Sequence, residues 1–145
     1  MSTLVSPVYT GTLNGKPLRF FKAPLPGPHL IWHASEDLQL GMQLPRDLRR
    51  RFREQLRSSE WSSDVRTVAT SDGIVTIAPH WIAQGFIGAM IETGYISNTL
   101  EIAYAKEAVR AWNATTGDLP LAANVELMLA AFRNTNGIGA NGGAV

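Results

Sequence analysis

Two β-prone runs, residues 8–12 and 18–22, open the chain and are separated by Leu13-Asn14-Gly15-Lys16-Pro17. Asn-Gly tolerates positive φ at both central positions of a tight turn, so the pattern predicts a β-hairpin. Pro24, Pro26 and Pro28 with Gly27 form a stiff, non-helical connection to a short third strand, Leu30-Ile31-Trp32. Ser35 then reads as a helix N-cap followed by Glu36 and Asp37, where the helix dipole favours acids, and this short helix ends near Gly41. A second helix follows, from Pro45 to about Ser58, with Leu44, Leu48, Phe52 and Leu56 at spacing four as its apolar stripe. Residues 65–69 and 74–78 are again β-prone, and Asp72-Gly73 between them predicts a second hairpin. Pro79 opens a helix carrying Trp81, Ile82, Phe86, Met90 and Ile91 that stops at Gly94. Asn98 with Glu101 resembles a capping box and starts a helix through Trp112, ending by Gly117. Asp118 and Pro120 open a last helix through about Phe132.

Strands arrive in hairpins, and helices do not alternate singly with strands. The fold class expected is therefore α+β, with two β-hairpins, interspersed helices and a helical C-terminal part. The length of 145 residues suits one domain, assigned to residues 1–133. Residues 134–145, rich in glycine and asparagine and without charge, read as a flexible tail.

Composition narrows the function classes. Hydrophobic residues make up 45% of the chain, enough for a true core. Charged residues are only 17%, against about 25% in an average domain, which argues against wholesale disorder and leaves room for an apolar partner surface. There is no cysteine, hence no disulfide scaffold, thiol nucleophile or thiolate metal site. The N-terminus lacks the pattern of a signal peptide. The longest apolar stretch, around Ile82 to Ile91, is broken by Gln84, Gly85 and Gly88 and is too short for a membrane span, so a cytoplasmic location without membrane contact is expected.

The formal net charge of +1 hides a split. Residues 1–57 hold nine bases against four acids, a net of +5, and residues 58–145 hold four bases against eight acids, a net of −4. A polyanion feels the local field more than the total. Arg46, Arg49, Arg50, Arg51, Arg53 and Arg57 fall within twelve residues of the second helix. Arg46, Arg50, Arg53 and Arg57 follow spacings of four, three and four and share one face, with Arg49 close to it. The plain alternative is a solvated face with intrahelical pairs such as Arg50–Glu54. The density of arginine without lysine favours binding, because the guanidinium fork suits phosphates and guanine edges.

Other chemistry is thinly supported. His29, His33 and His80 stand in no metal-binding spacing. A cluster of His33, Glu36, Asp37 and His80 requires the two hairpin–helix units to pack together, and the plainer reading is locally hydrogen-bonded histidines. The serines lie in turn-like contexts with no nucleophile elbow. No catalytic residue, metal or cofactor is assigned. Gly85 and Gly88 read as close helix packing within the domain, and Trp32, Trp61, Trp81 and Trp112 as core or rim residues rather than a base-stacking platform.

The order of these segments resembles the N-terminal domains of phage antirepressors and baculovirus repeated-ORF proteins, the BRO-N family. Leu18-Arg19-Phe20-Phe21, then Ile31-Trp32-His33-Ala34-Ser35-Glu36-Asp37-Leu38, the arginine helix and Gly73-Ile74-Val75-Thr76-Ile77 carry the resemblance over about residues 5–93. The family's loop segment after the first helix is of the L-G-Y kind. Here it is Leu40-Gly41-Met42, and a proline-rich insert precedes the third strand. The resemblance implies DNA binding by a prophage-type regulator, with the residues beyond about 95 a helical extension supporting oligomerisation. The function expected is a nucleic-acid-binding or regulatory module for duplex DNA. Arg46, Arg49, Arg50, Arg53 and Arg57 contact phosphates in that reading, one or two of them reading bases, and Lys16, Arg19 and Lys22 extend the patch. The alternative is a protein–protein assembly module, a homo-oligomer through the C-terminal helices, with Trp81, Phe86 and Phe132 at its interface.

Overall fold

The computed structural model describes residues 3–135. The two hairpins and the short strand join into one antiparallel five-stranded sheet in the order β1-β2-β3-β5-β4. Its strands are β1 (Tyr9–Leu13), β2 (Lys16–Phe21), β3 (Trp32–Ala34), β4 (Arg66–Thr70) and β5 (Gly73–Ala78). The fold is α+β. In the first turn Asn14 and Gly15 both take positive φ, +52° and +77°, as the Asn-Gly pair demands. β3 pairs Phe20 with His33 on one side and His33 with Ala78 on the other, so the third strand lies two residues later than its apolar run predicts and welds the hairpins together.

Five helices follow the expected order: α1 (Ser35–Gly41), α2 (Arg46–Arg57), α3 (His80–Glu92), α4 (Asn98–Thr116) and α5 (Leu121–Thr135), with a 3-10 turn at Ser62–Asp64. Several helix starts differ from the sequence reading. Ala34 caps α1, and Ser35 is buried inside the first turn with its Oγ accepting from Gln39 Nε2 at 3.0 Å. Ser97 caps α4 and its hydroxyl pairs with Thr99, so Asn98 and Glu101 form no capping box. α5 runs through Asn134, which donates to the Pro28 carbonyl at 2.7 Å, so the first two residues of the expected tail are helical. The rest of that tail, 136–145, lies outside the described residues. No helix among the described residues is long and apolar enough to cross a membrane.

The sheet is covered on both faces. The main core lies between the sheet and the helices and includes Leu18, Phe20, Leu38, Leu56, Ile82, Ile87, Leu100, Tyr104 and Trp112. A smaller cluster on the opposite face holds Phe21, Trp32, Ala34, Val75 and Ile77, capped by Val5 and by Leu25 of the proline-rich connection. The tryptophans are core or rim residues: Trp32 and Trp112 are buried, and Trp61 and Trp81 pair half-buried with ring centroids 5.6 Å apart.

Gly85 and Gly88 are not where α3 packs closely. A Cβ at either position meets nothing within 4 Å. Close approaches require other glycines: a Cβ at Gly41 collides with Leu13, and one at Gly11 collides with the Glu107 carboxylate. That carboxylate is buried and accepts from Thr12 N at 2.5 Å, Arg110 Nη1 at 2.8 Å and Tyr9 Oη at 3.3 Å, clamping α4 onto β1. Burial raises its pKa, and these donors outweigh burial and hold it below the usual range.

Candidate nucleic-acid interface

α2 is held to the body by its apolar stripe. Leu44 and Leu56 are buried, Leu48 and Phe52 pack against the core, and Phe52 stacks on Phe86 of α3 with centroids 4.4 Å apart and planes 7° from parallel. With that stripe inward, the arginines must point outward or sideways. Arg46, Arg49, Arg53 and Arg57 occupy the side nearest α1 and the second hairpin. Two adjoining cavities open there. One, of about 260 Å3, lies between α1 and the first half of α2 and is lined by Arg46, Arg49 and Arg53. The other, of about 520 Å3, lies between α1, α2 and the β4–β5 hairpin and is lined by Arg53, Arg57 and Arg66. They share Glu36, Gln39 and Arg53 and so form one cleft.

Its floor is Leu56 and Val65, and its hairpin wall presents Thr67, Thr76 and the strongly exposed Ile74. Arg66 enters from the head of β4, where Nη1 donates to the carbonyls of Ser63 at 3.0 Å and Val65 at 2.9 Å. The rest of its guanidinium fork is left for the cleft. Glu36 is the single acid on these walls.

Arg50 stands at the outer edge of the arginine row. Its ion pair is with Asp47, 3.9 Å away with both side chains mostly in solvent, rather than with Glu54. Among the described residues this is the only ion pair on α2, and at that length and exposure it contributes almost nothing. The arginines lining the cleft are therefore not neutralised within their own helix. Five guanidinium groups converge on a channel with hydroxyl groups on one wall, which suits a phosphate-bearing chain.

The first-hairpin bases do not join this surface as a group. Arg19 is committed to Asp37: Nε to Oδ2 at 2.8 Å, Nη2 to Oδ1 at 3.1 Å, and the Arg19 backbone N–H to Oδ2 at 2.9 Å. This two-pronged pair, only 22% and 11% exposed, ties β2 to α1 and corrects the assignment of Arg19 to the patch. Lys16 is exposed at the first turn, and Lys22 lines a small cavity between the proline-rich connection and Trp112, away from α2. Arg66 was not legible as a site residue, because it lies in the acidic half of the chain and only the return of the second hairpin places it beside α2.

The candidate histidine cluster does not assemble. Asp37 is held by Arg19, and Glu36 faces the cleft. His33 is wholly buried in β3 with Tyr104 edge-on at 6.1 Å, and His80 stacks on that same tyrosine at 5.7 Å. No group of three or more His, Asp or Glu able to hold a metal ion occurs among the described residues.

The expected oligomer residues are also separated. Phe86 is buried against Phe52, Trp81 is half-buried beside Trp61, and Phe132 alone of the three is exposed. Of the C-terminal helices expected at that interface, α5 also turns Leu121, Val125, Met128 and Leu129 outward.

Compared with known proteins, the chain matches no protein-family model, and no curated protein and no solved structure is significantly similar to it.

Proposed function

We propose that the protein binds nucleic acid, duplex DNA in the first instance, through the cleft between α1, α2 and the β4–β5 hairpin. The regulatory role of phage type that the BRO-N resemblance implies is part of this proposal. The observation that carries it is the alignment of Arg46, Arg49, Arg53 and Arg57 along one channel, joined by Arg66 and free of intrahelical ion pairs. Arg50 supplies a further contact at the rim.

Binding of this kind releases counterions and weakens steeply with salt. Titration of labelled duplex and single strands at several salt concentrations tests it. Replacing Arg46, Arg49, Arg53 or Arg57 by alanine should each lower the slope of log K against log salt by about one. Absence of binding to any duplex or single strand at low salt overturns the proposal, as does binding unaffected by these replacements.

A second reading, self-assembly, is favoured by a separate observation. α5 turns its apolar side to solvent, with Leu121 at 81% exposure and Leu129 at 61%. Light scattering on the full chain decides whether it exists as more than one copy.

A further inference from the structure

α5 packs Leu127 and Ala131 on the core but, unlike an ordinary surface helix, turns its larger apolar stripe outward. Polar and small residues fasten its inner side. Trp112 Nε1 donates to Asn124 Oδ1 at 2.9 Å, Asn124 Nδ2 donates to the carbonyl and hydroxyl of Thr116 at 3.0 Å each, Asn134 donates to Pro28, and Ala131 is fully buried. Its outer side carries Leu121, Val125, Met128, Leu129 and Phe132, exposed by 81, 46, 40, 61 and 52%. Their spacings of four, three, one and three make one continuous stripe.

The flank of that stripe carries one charge of each sign. Glu126 and Arg133 are seven residues apart, so they lie on the same side of the stripe, about 10 Å apart along the axis. That is too far for them to pair with each other, and neither has an ion-pair partner among the described residues. A surface with an apolar row and a reversed charge pattern along one edge is complementary to itself when turned end for end. If a second α5 lies antiparallel with the two-fold axis crossing between Leu129 and Ala130, Glu126 of each copy meets the partner's Arg133. The same register brings the two Leu129 side chains together at the axis, with Met128 and Phe132 beside them and Val125 towards each end, while Leu121 lies outside the overlap. From Val125 to Phe132 the stripe presents on the order of 400 Å2 per copy, so pairing buries on the order of 800 Å2 in total, the size of a weak, reversible interface.

We infer that two copies of this chain associate through an antiparallel, two-fold pairing of their α5 helices, centred on Leu129 with Met128 and Phe132 beside it and flanked by two symmetric Glu126–Arg133 ion pairs. This rests on the self-assembly reading and is independent of the arginine cleft. The pairing is isologous, so it closes at two copies.

The test uses the full chain and charge reversals at exposed positions, with helical content checked by circular dichroism. Sedimentation of the wild type should show a monomer–dimer equilibrium at concentrations up to about 100 μM. Glu126→Arg and Arg133→Glu should each weaken the dimer by on the order of tenfold or more, since each sets like charges opposite one another twice. Mixing the two variants should restore association as a heterodimer, because one then carries two bases on the flank and the other two acids. A wild type that stays monomeric overturns both this pairing and self-assembly. A wild-type dimer indifferent to both reversals, or variants that fail to associate when mixed, overturns this pairing and leaves self-assembly standing.

Discussion

His33 sits where a titratable group is costly. It lies in the middle strand of the sheet, fully buried, and neither ring nitrogen has a hydrogen-bond partner. Around it are Phe20 of β2, His80 of α3, Tyr104 of α4 and the backbone of Ala78 in β5. Burial, and then the neighbouring His80, push its pKa down to about 3, against which only the Ala78 backbone acts. His80 is lowered by burial in the same direction, and the Tyr104 hydroxyl, also buried and unpartnered, is raised. A lowered histidine pKa means that the unfolded chain binds the extra proton. The stability carried by neutral His33 is thus complete above its ordinary value of 6.5 and is lost progressively as pH falls towards 3. The slope approaches about 1.4 kcal/mol per pH unit for one such group. Urea midpoints measured from pH 7 down to 4.5, above the range in which carboxylates dominate, should fall for the wild type and fall less for His33→Leu, with His80 accounting for the remaining slope. An unchanged slope in the variant would place the acid sensitivity elsewhere.

At the scale of elements, α2 divides into a packed apolar face and an arginine face. Leu44, Leu48, Phe52 and Leu56 were readable from sequence because burial of a helix face imposes a period near 3.6. The arginine face was readable by the same arithmetic. Which arginines share a channel was not, because that depends on α1 and the β4–β5 hairpin standing alongside. The result favours Arg46, Arg49, Arg53 and Arg57 and puts Arg50 beside Asp47 at the rim. Glu36 offers a test of sign. As the one acid on the cleft walls, it opposes a bound phosphate, so Glu36→Gln should tighten nucleic-acid binding by about 2–5-fold at low salt, with the gain shrinking as salt rises. Arg51→Ala, which removes a base outside the cleft, should change affinity less than Arg53→Ala. A gel-shift series over these three variants checks the order, and equal losses for Arg51 and Arg53 would mean a diffuse charge effect.

Across the whole molecule, long-range polar clamps close the fold. Asp37 joins α1 to β2 through Arg19, and Glu107 joins α4 to β1 over 95 residues of sequence separation. Glu107 occupies a core position on α4, in register with Leu100, Tyr104 and Ala111, and is affordable there only because three donors meet it. Glu107→Ala should destabilise the protein by about 2–3 kcal/mol, mostly by leaving the Thr12 N–H and Tyr9 hydroxyl without their acceptor. Denaturant unfolding followed by circular dichroism checks the size of the loss. A neutral result would show that α4 is held by its apolar contacts alone.

The sequence by itself determined the elements, their order and the α+β class, because turns such as Asn14-Gly15, helix periods and proline positions are set by interactions a few residues long. It also determined that α2 carries a dense basic face. Only the tertiary structure decided that the two hairpins form one sheet through β3, that Asp37 takes Arg19 out of the basic patch, and that Arg66 joins it. The same holds for Phe86 facing the core while α5 shows its apolar stripe to solvent. Each of these depends on which distant residue ends up opposite. That choice is made by packing the elements together and satisfying their buried polar groups, and local propensity carries no record of it.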